Sequence, residues 1–202
     1  MFALLRCSIA GLAVLCALTA CSPEGSGGSR ESFANTDITG ANYANGFRLT
    51  DHHGQVRTLA DYKGKVVTLF FGYTQCPDVC PTNLLNMAQV MRELGPDADK
   101  VQVLFVTIDP ERDTQELLAQ YVPAFDPRFV GLYGDVATTQ AVARDFKVFY
   151  QKQGDVQGGR YTVDHSTGTY VYDPQGRLRL YIKHGEKLAP IVTDLRRLLA
   201  GK

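Results

Sequence analysis

The chain has 202 residues, 45% of them hydrophobic, which suits one globular domain with a real core plus an appendage. Its 21 basic and 21 acidic residues cancel to a formal net charge of zero, and no basic run stands out. That excludes the clustered positive face a nucleic-acid partner needs, and leaves ions, small molecules or proteins.

Residues 1–20 read as a signal peptide. Arg6 supplies the charge, 7–18 is apolar, and small residues precede Cys21. So short an apolar stretch before small residues is a secretory signal rather than a membrane span. Leu18-Thr19-Ala20-Cys21 resembles a bacterial lipobox. The resemblance implies cleavage before Cys21 and a lipid on that residue. The domain is then held on the periplasmic side of a bacterial membrane, inner or outer. Residues 22–36 are rich in Gly and Ser and read as a flexible tether, so the folded domain is expected over 37–202.

Segments 47–50 and 56–59 flank Asp51-His52-His53-Gly54 and predict a hairpin. The apolar run 65–71 predicts a buried parallel strand, followed by a helix to Leu94 that Gly95-Pro96 stops. A second buried strand is expected over 101–108, and Thr114 caps a helix reaching Tyr121. A short strand at 129–133 and a helix over 136–146, capped by Asp135, come next. Extended pieces at 147–151 and 160–163 surround a Gly-rich loop. Strands at 169–172 and 178–182 are joined by the turn Asp173-Pro174-Gln175-Gly176, and a helix over 188–199 closes the chain. This order predicts an α/β thioredoxin-like fold with an N-terminal β-hairpin and an inserted strand-helix region.

The chemistry sits in Cys76-Pro77-Asp78-Val79-Cys80-Pro81. Cys7 and Cys16 leave with the signal and Cys21 carries the lipid, so Cys76 and Cys80 are the remaining pair. As a staple they close too small a loop to stabilise much. A redox disulfide and a soft-metal clamp both remain open. Taking Pro81 as the first helical residue makes Cys80 the N-cap and puts both sulfurs at the positive end of the helix dipole, which favours thiolate. Among four histidines, His165 is expected beside the cysteines because it precedes the strand that faces them. His52, His53 and His184 are expected to be solvated. Asp109-Pro110-Glu111-Arg112-Asp113 reads as a strand-to-helix connection stabilised by an Arg112–carboxylate pair, in preference to a partner-facing surface. Asp78 and Asp164 are candidates for orienting His165 or tuning the thiols.

Three motifs resemble the SCO/SenC family: Gly72-Tyr73-Thr74-x-Cys76-Pro77-Asp78-Val79-Cys80-Pro81, Asp109-Pro110-Glu111-Arg112-Asp113-Thr114, and Val163-Asp164-His165-Ser166. The resemblance covers residues 37–199. It implies a thioredoxin-like copper chaperone whose ligands are Cys76, Cys80 and His165, holding copper(I), copper(II) or both. Its recipient is then the cytochrome c oxidase subunit that carries CuA. A periplasmic thiol reductant or another copper chaperone is a further expected partner, and a monomer is the expected state. The alternative is a thiol–disulfide oxidoreductase that reduces the oxidase subunit's cysteines through the metal-free Cys76–Cys80 pair.

Overall fold

The computed structural model describes residues 32–202. The expected signal peptide at 1–20, the lipid on Cys21 and the tether as far as residue 31 lie outside the described residues.

The strands are β1 (Thr36–Asp37), β2 (Arg48–Asp51), β3 (Val56–Thr58), β4 (Val66–Gly72), β5 (Val101–Thr107), β6 (Val130–Tyr133), β7 (Tyr150–Asp155), β8 (Arg160–His165), β9 (Thr169–Tyr172) and β10 (Leu178–Ile182). The α-helices are α1 (Val79–Leu94), α2 (Gln115–Tyr121), α3 (Val136–Asp145) and α4 (Leu188–Leu199). Eight strands form one sheet in the order β1-β10-β9-β4-β5-β6-β2-β3. β4, β5 and β6 run parallel, and the flanking strands pair antiparallel. This is the expected thioredoxin-like fold, with β2–β3 as the N-terminal hairpin and β6 with α3 as the inserted strand-helix region.

The sheet's centre explains where chemistry can sit. All seven residues of β4 and all seven of β5 are buried, as an apolar run covered on both faces requires. β4 lies between β5 and β9, with Gly72 level with Thr107 and Phe70 level with Thr169. The carboxyl end of a central parallel strand is where open α/β sheets place their ligands. Four apolar residues of α1 on the stripe expected from sequence (Leu84, Met87, Ala88, Met91) pack inward.

Three local expectations change. Helix α1 starts at Val79 with Asp78 as N-cap, not at Pro81. None of the first N–H groups of a helix has a partner inside it, so Pro81 costs no more at the third position than at the first. The first intrahelical bond instead runs from Thr82 N to Asp78 O at 3.1 Å. Second, residues 32–36, expected in the tether, belong to the domain. Asn35 is buried, and its backbone N and side-chain Nδ2 both donate to the Asp194 carboxylate at 2.8 Å. Phe33 lies under Arg179 and Arg197. Third, the extended pieces around the Gly-rich loop pair with each other. β7 and β8 form a separate two-stranded sheet, Tyr150 opposite His165 through Asp155 opposite Arg160.

Candidate metal centre

Cys80 owes its place to a missing side chain. A Cβ on Gly72 would lie 2.9 Å from the Cys80 Sγ and 2.7 Å from the Phe105 ring. Glycine at the end of β4 therefore leaves the space that the sulfur fills. The loop that follows is tied from below. Thr74 donates to Asp113 through its backbone N at 3.0 Å and its Oγ1 at 2.6 Å, and Thr107 Oγ1 donates to the same carboxylate at 2.6 Å. The loop then turns Cys76 back over the helix start, where its sulfur accepts the Cys80 N–H at 3.4 Å. Both thiols are free; Cys76 is half-buried and Cys80 is buried.

His165 ends β8 and meets the cysteines from the far side. Its Nε2 is 3.4 Å from the Cys80 Sγ. Its Nδ1 is 2.8 Å from the Ser166 carbonyl. A carbonyl only accepts, so Nδ1 carries the proton and Nε2 presents its lone pair to the sulfurs. Phe70 and Tyr73 hold the imidazole edge-on, each with its ring centre 6.0 Å away. The two sulfurs and a ring nitrogen all lie within 4.8 Å of one another. Cys76 and His165 border a cleft of about 480 Å³ with Pro77, Val79 and Thr167 on its walls.

Burial dominates the electrostatics. It pushes the Cys80 thiol up, against the lowering expected from the helix dipole. The expectation fails for Cys80 because the sulfur is desolvated, whereas a dipole effect needs only proximity. Burial also holds His165 below its ordinary value, with the Ser166 carbonyl and the Asp164 charge opposing it. The metal-free state is thus a neutral thiol beside a neutral imidazole. A cation entering the site would displace the thiol protons, as thiolate ligation always does.

The structure brings Cys76, Cys80 and His165 together, with Asp78 and Asp164 on the walls of the same cleft. Asp78 and Asp164 are exposed, and neither bonds to His165. Asp78 instead accepts a 3.4 Å bond from Thr82 Oγ1 at the helix start. Orientation of the imidazole falls to the Ser166 carbonyl, a backbone group with no signature in sequence. His53 and His184 are exposed as expected. His52 is not: it is buried, its Nδ1 accepts the Gly131 N–H at 3.0 Å, and its Nε2 faces His53 Nε2 at 3.0 Å. The β2–β3 hairpin packs on β6, and that contact takes His52 out of water. Arg112 pairs with Asp109 as expected, at 2.6 Å through Nε. Asp113 and Tyr73 went unrecognised as parts of the site; both lie inside motifs already quoted, but no spacing rule gives them a task.

Two thiolates and one imidazole form a soft donor set, suited to copper(I) or zinc. A structural zinc site would close with four protein ligands, and the site gathers three.

Comparison with known proteins places these residues in a family. The model of the SCO1/SenC family matches residues 35–200. The bovine mitochondrial SCO2 homologue is 40% identical over 157 residues, 77% of this chain and 59% of that protein. A SCO2-like protein of Rickettsia felis is 38% identical over 139 residues, 68% of this chain and 66% of that protein. The chain spans about three-fifths of the length of the mammalian relatives it matches. Among solved structures, copper-bound ScoI of Bradyrhizobium japonicum superposes with a TM-score of 0.70 at 40% identity, covering 76% of this chain and 98% of that one. Apo Sco1 of Thermus thermophilus gives 0.75 at 39% identity, covering 85% of this chain and 100% of that one. With a shared fold and a family match over most of its length, the chain belongs to the SCO1/SenC family.

Proposed function

We propose that this protein binds copper through Cys76, Cys80 and His165 and delivers it to the CuA site of cytochrome c oxidase. One observation carries the reading: the Nε2 lone pair of His165 faces the free Cys80 thiol, and it and the two sulfurs all lie within 4.8 Å of one another. The copper-bound structure of the Bradyrhizobium relative supports the choice of ion. Copper(I) with three ligands keeps a position open for an incoming donor, which suits transfer by ligand exchange. Copper(II) would add a water or another oxygen ligand. The oxidase subunit as recipient follows from the family resemblance, as does a thiol reductant or second copper chaperone upstream. Cys21 as a lipid anchor on the periplasmic side of a membrane completes the reading.

Copper titration of the reduced domain tests it. His165→Ala should weaken binding by more than about 100-fold, beyond the loss typical of groups that merely support a ligand, and should change the copper(II)–thiolate absorption. Unchanged affinity and spectrum in that variant would show the three-ligand site to be wrong.

A second reading has its own observation. Both sulfurs are unpaired and adjacent, and Cys76 is partly open to the cleft. A thiol–disulfide oxidoreductase acting on the oxidase subunit's cysteines would need that pair and little from His165. Cellular oxidase assembly that survives His165→Ala but not Cys76→Ser would favour it over copper delivery.

A further inference from the structure

His165 rides on a hairpin that shares no ladder with the large sheet. Something else must set its distance from the cysteines. Tyr73 OH accepts the Val163 N–H at 3.1 Å. Lys152 on β7 pairs with Glu111. A further set of attachments converges on one side chain. Arg112 Nη1 donates to the Tyr161 carbonyl on β8 at 2.9 Å. The same nitrogen donates to Gln75 Oε1 at 3.1 Å, on the residue just before Cys76. The guanidinium also lies 3.5 Å from the centre of the Tyr161 ring. Its Nε donates to Asp109 Oδ2 at 2.6 Å, and Nη2 makes an ion-pair contact with the same oxygen at 2.5 Å without hydrogen-bond geometry. Asp109 is buried, and its other oxygen accepts the Tyr161 hydroxyl at 2.8 Å.

We propose that Arg112, held by Asp109, is the positioning residue that sets the span between the cysteine loop and His165. One guanidinium nitrogen bridges the segments that carry the two kinds of ligand, and the rest of the fork is immobilised by a buried carboxylate. A lysine ammonium has no such fork and could not hold Asp109, Gln75 and the Tyr161 carbonyl in one plane while stacking on the ring. The charge pair needs no other role to explain its burial: a site held to sub-ångström tolerance needs rigid support behind its ligands. The inference rests on Cys76, Cys80 and His165 being the metal ligands.

The test places Arg112→Gln and Arg112→Lys in the wild-type and the His165→Ala backgrounds of the reduced domain. Copper(I) affinity is read by competition with a chromophoric chelator, and the His165 ring nitrogens are read by NMR in the metal-free protein. Arg112→Gln should lower affinity about 10–100-fold, the range expected for a group supporting a ligand. The loss should vanish when His165 is already alanine, and the His165 Nε2 signal should move without any metal. Arg112→Lys should recover only part of the affinity. Wild-type affinity in Arg112→Gln would overturn the proposal, and so would an equal loss in both backgrounds, because Arg112 would then act through the cysteines or the fold. If Arg112→Gln does not fold, Tyr161→Phe removes one strut of the same clasp and is read by the same two measurements. If the wild type takes up no copper, the metal-site reading fails. The metal-free ring signal still decides the clasp: a signal unmoved in Arg112→Gln refutes it.

Discussion

The cysteines and the histidine reach the site from regions built differently. Cys80 stands on a helix that packs against the middle of an eight-stranded sheet, at the end of a strand buried along its whole length. His165 stands on a two-stranded sheet whose residues are mostly half-exposed or exposed. The first region is fixed by core packing, so its geometry is as reliable as the fold itself. The second is fixed mainly by side-chain bonds, from Tyr73, Arg112, Asp109 and the Lys152–Glu111 pair, rather than by ladder pairing with the large sheet. The difference teaches that a candidate site can divide its labour: a core-packed Cys80, and an imidazole whose reach is set mainly by a few buried polar struts.

Perturbing each region separately sharpens that contrast. The largest effect is expected on the cysteine side. Gly72→Ala would put a methyl within 3 Å of Phe105, Phe70 and Cys80 at once. Overpacking of this kind should cost about 3 kcal/mol in urea denaturation and displace Cys80, so that copper binding and Cys76–Cys80 disulfide formation are both impaired. An unchanged midpoint would mean the strand end is less rigid than its burial implies. A smaller effect is expected on the histidine side. Tyr73→Phe leaves the buried Val163 N–H without its acceptor and should cost about 1–2 kcal/mol. Copper affinity should fall while the disulfide still forms at the wild-type rate; equal damage to both would erase the proposed division.

The smallest expected effect is the pH dependence of the reduced, metal-free protein. Burial lowers the folded-state pKa of His165 from its ordinary 6.5. Below 6.5 the unfolded chain takes up a proton that the folded site resists. The stability contribution is therefore present above that pH and lost as pH falls through the folded-state value. His52, lowered by burial as well, acts in the same direction. Denaturation midpoints measured downward from neutral pH should fall less steeply in His165→Ala than in wild type, with the His52 share remaining. An identical slope would place His165 in water rather than in the site.

Much of this was legible before any coordinates. The strands β4 and β5, the turn at Asp173–Gly176 and the closing helix follow from local pattern, because apolar periodicity and turn residues act over a few positions. The grouping of Cys76, Cys80 and His165 was legible through the resemblance and through the expected place of His165. What escaped was set by contacts distant in sequence or made by backbone. His52 is buried only because β2 pairs with β6, about eighty residues on. Residues 32–36 look like linker by composition, yet Asn35 finds Asp194 near the other end of the chain. The Ser166 carbonyl that sets the His165 tautomer would be there whatever residue occupied position 166. Pro81 marks the first turn of α1 but not its first residue, because every position of that turn tolerates a missing N–H.

The unequal burial of the two sulfurs gives the site a direction. Cys76 borders the cleft, whereas Cys80 lies behind it, enclosed by Gly72, Phe70 and Phe105. The cleft opens on Cys76 and His165. If copper is handed on as proposed, an incoming donor would meet the ion from that side, and the bond to Cys80 would be the last to be surrendered.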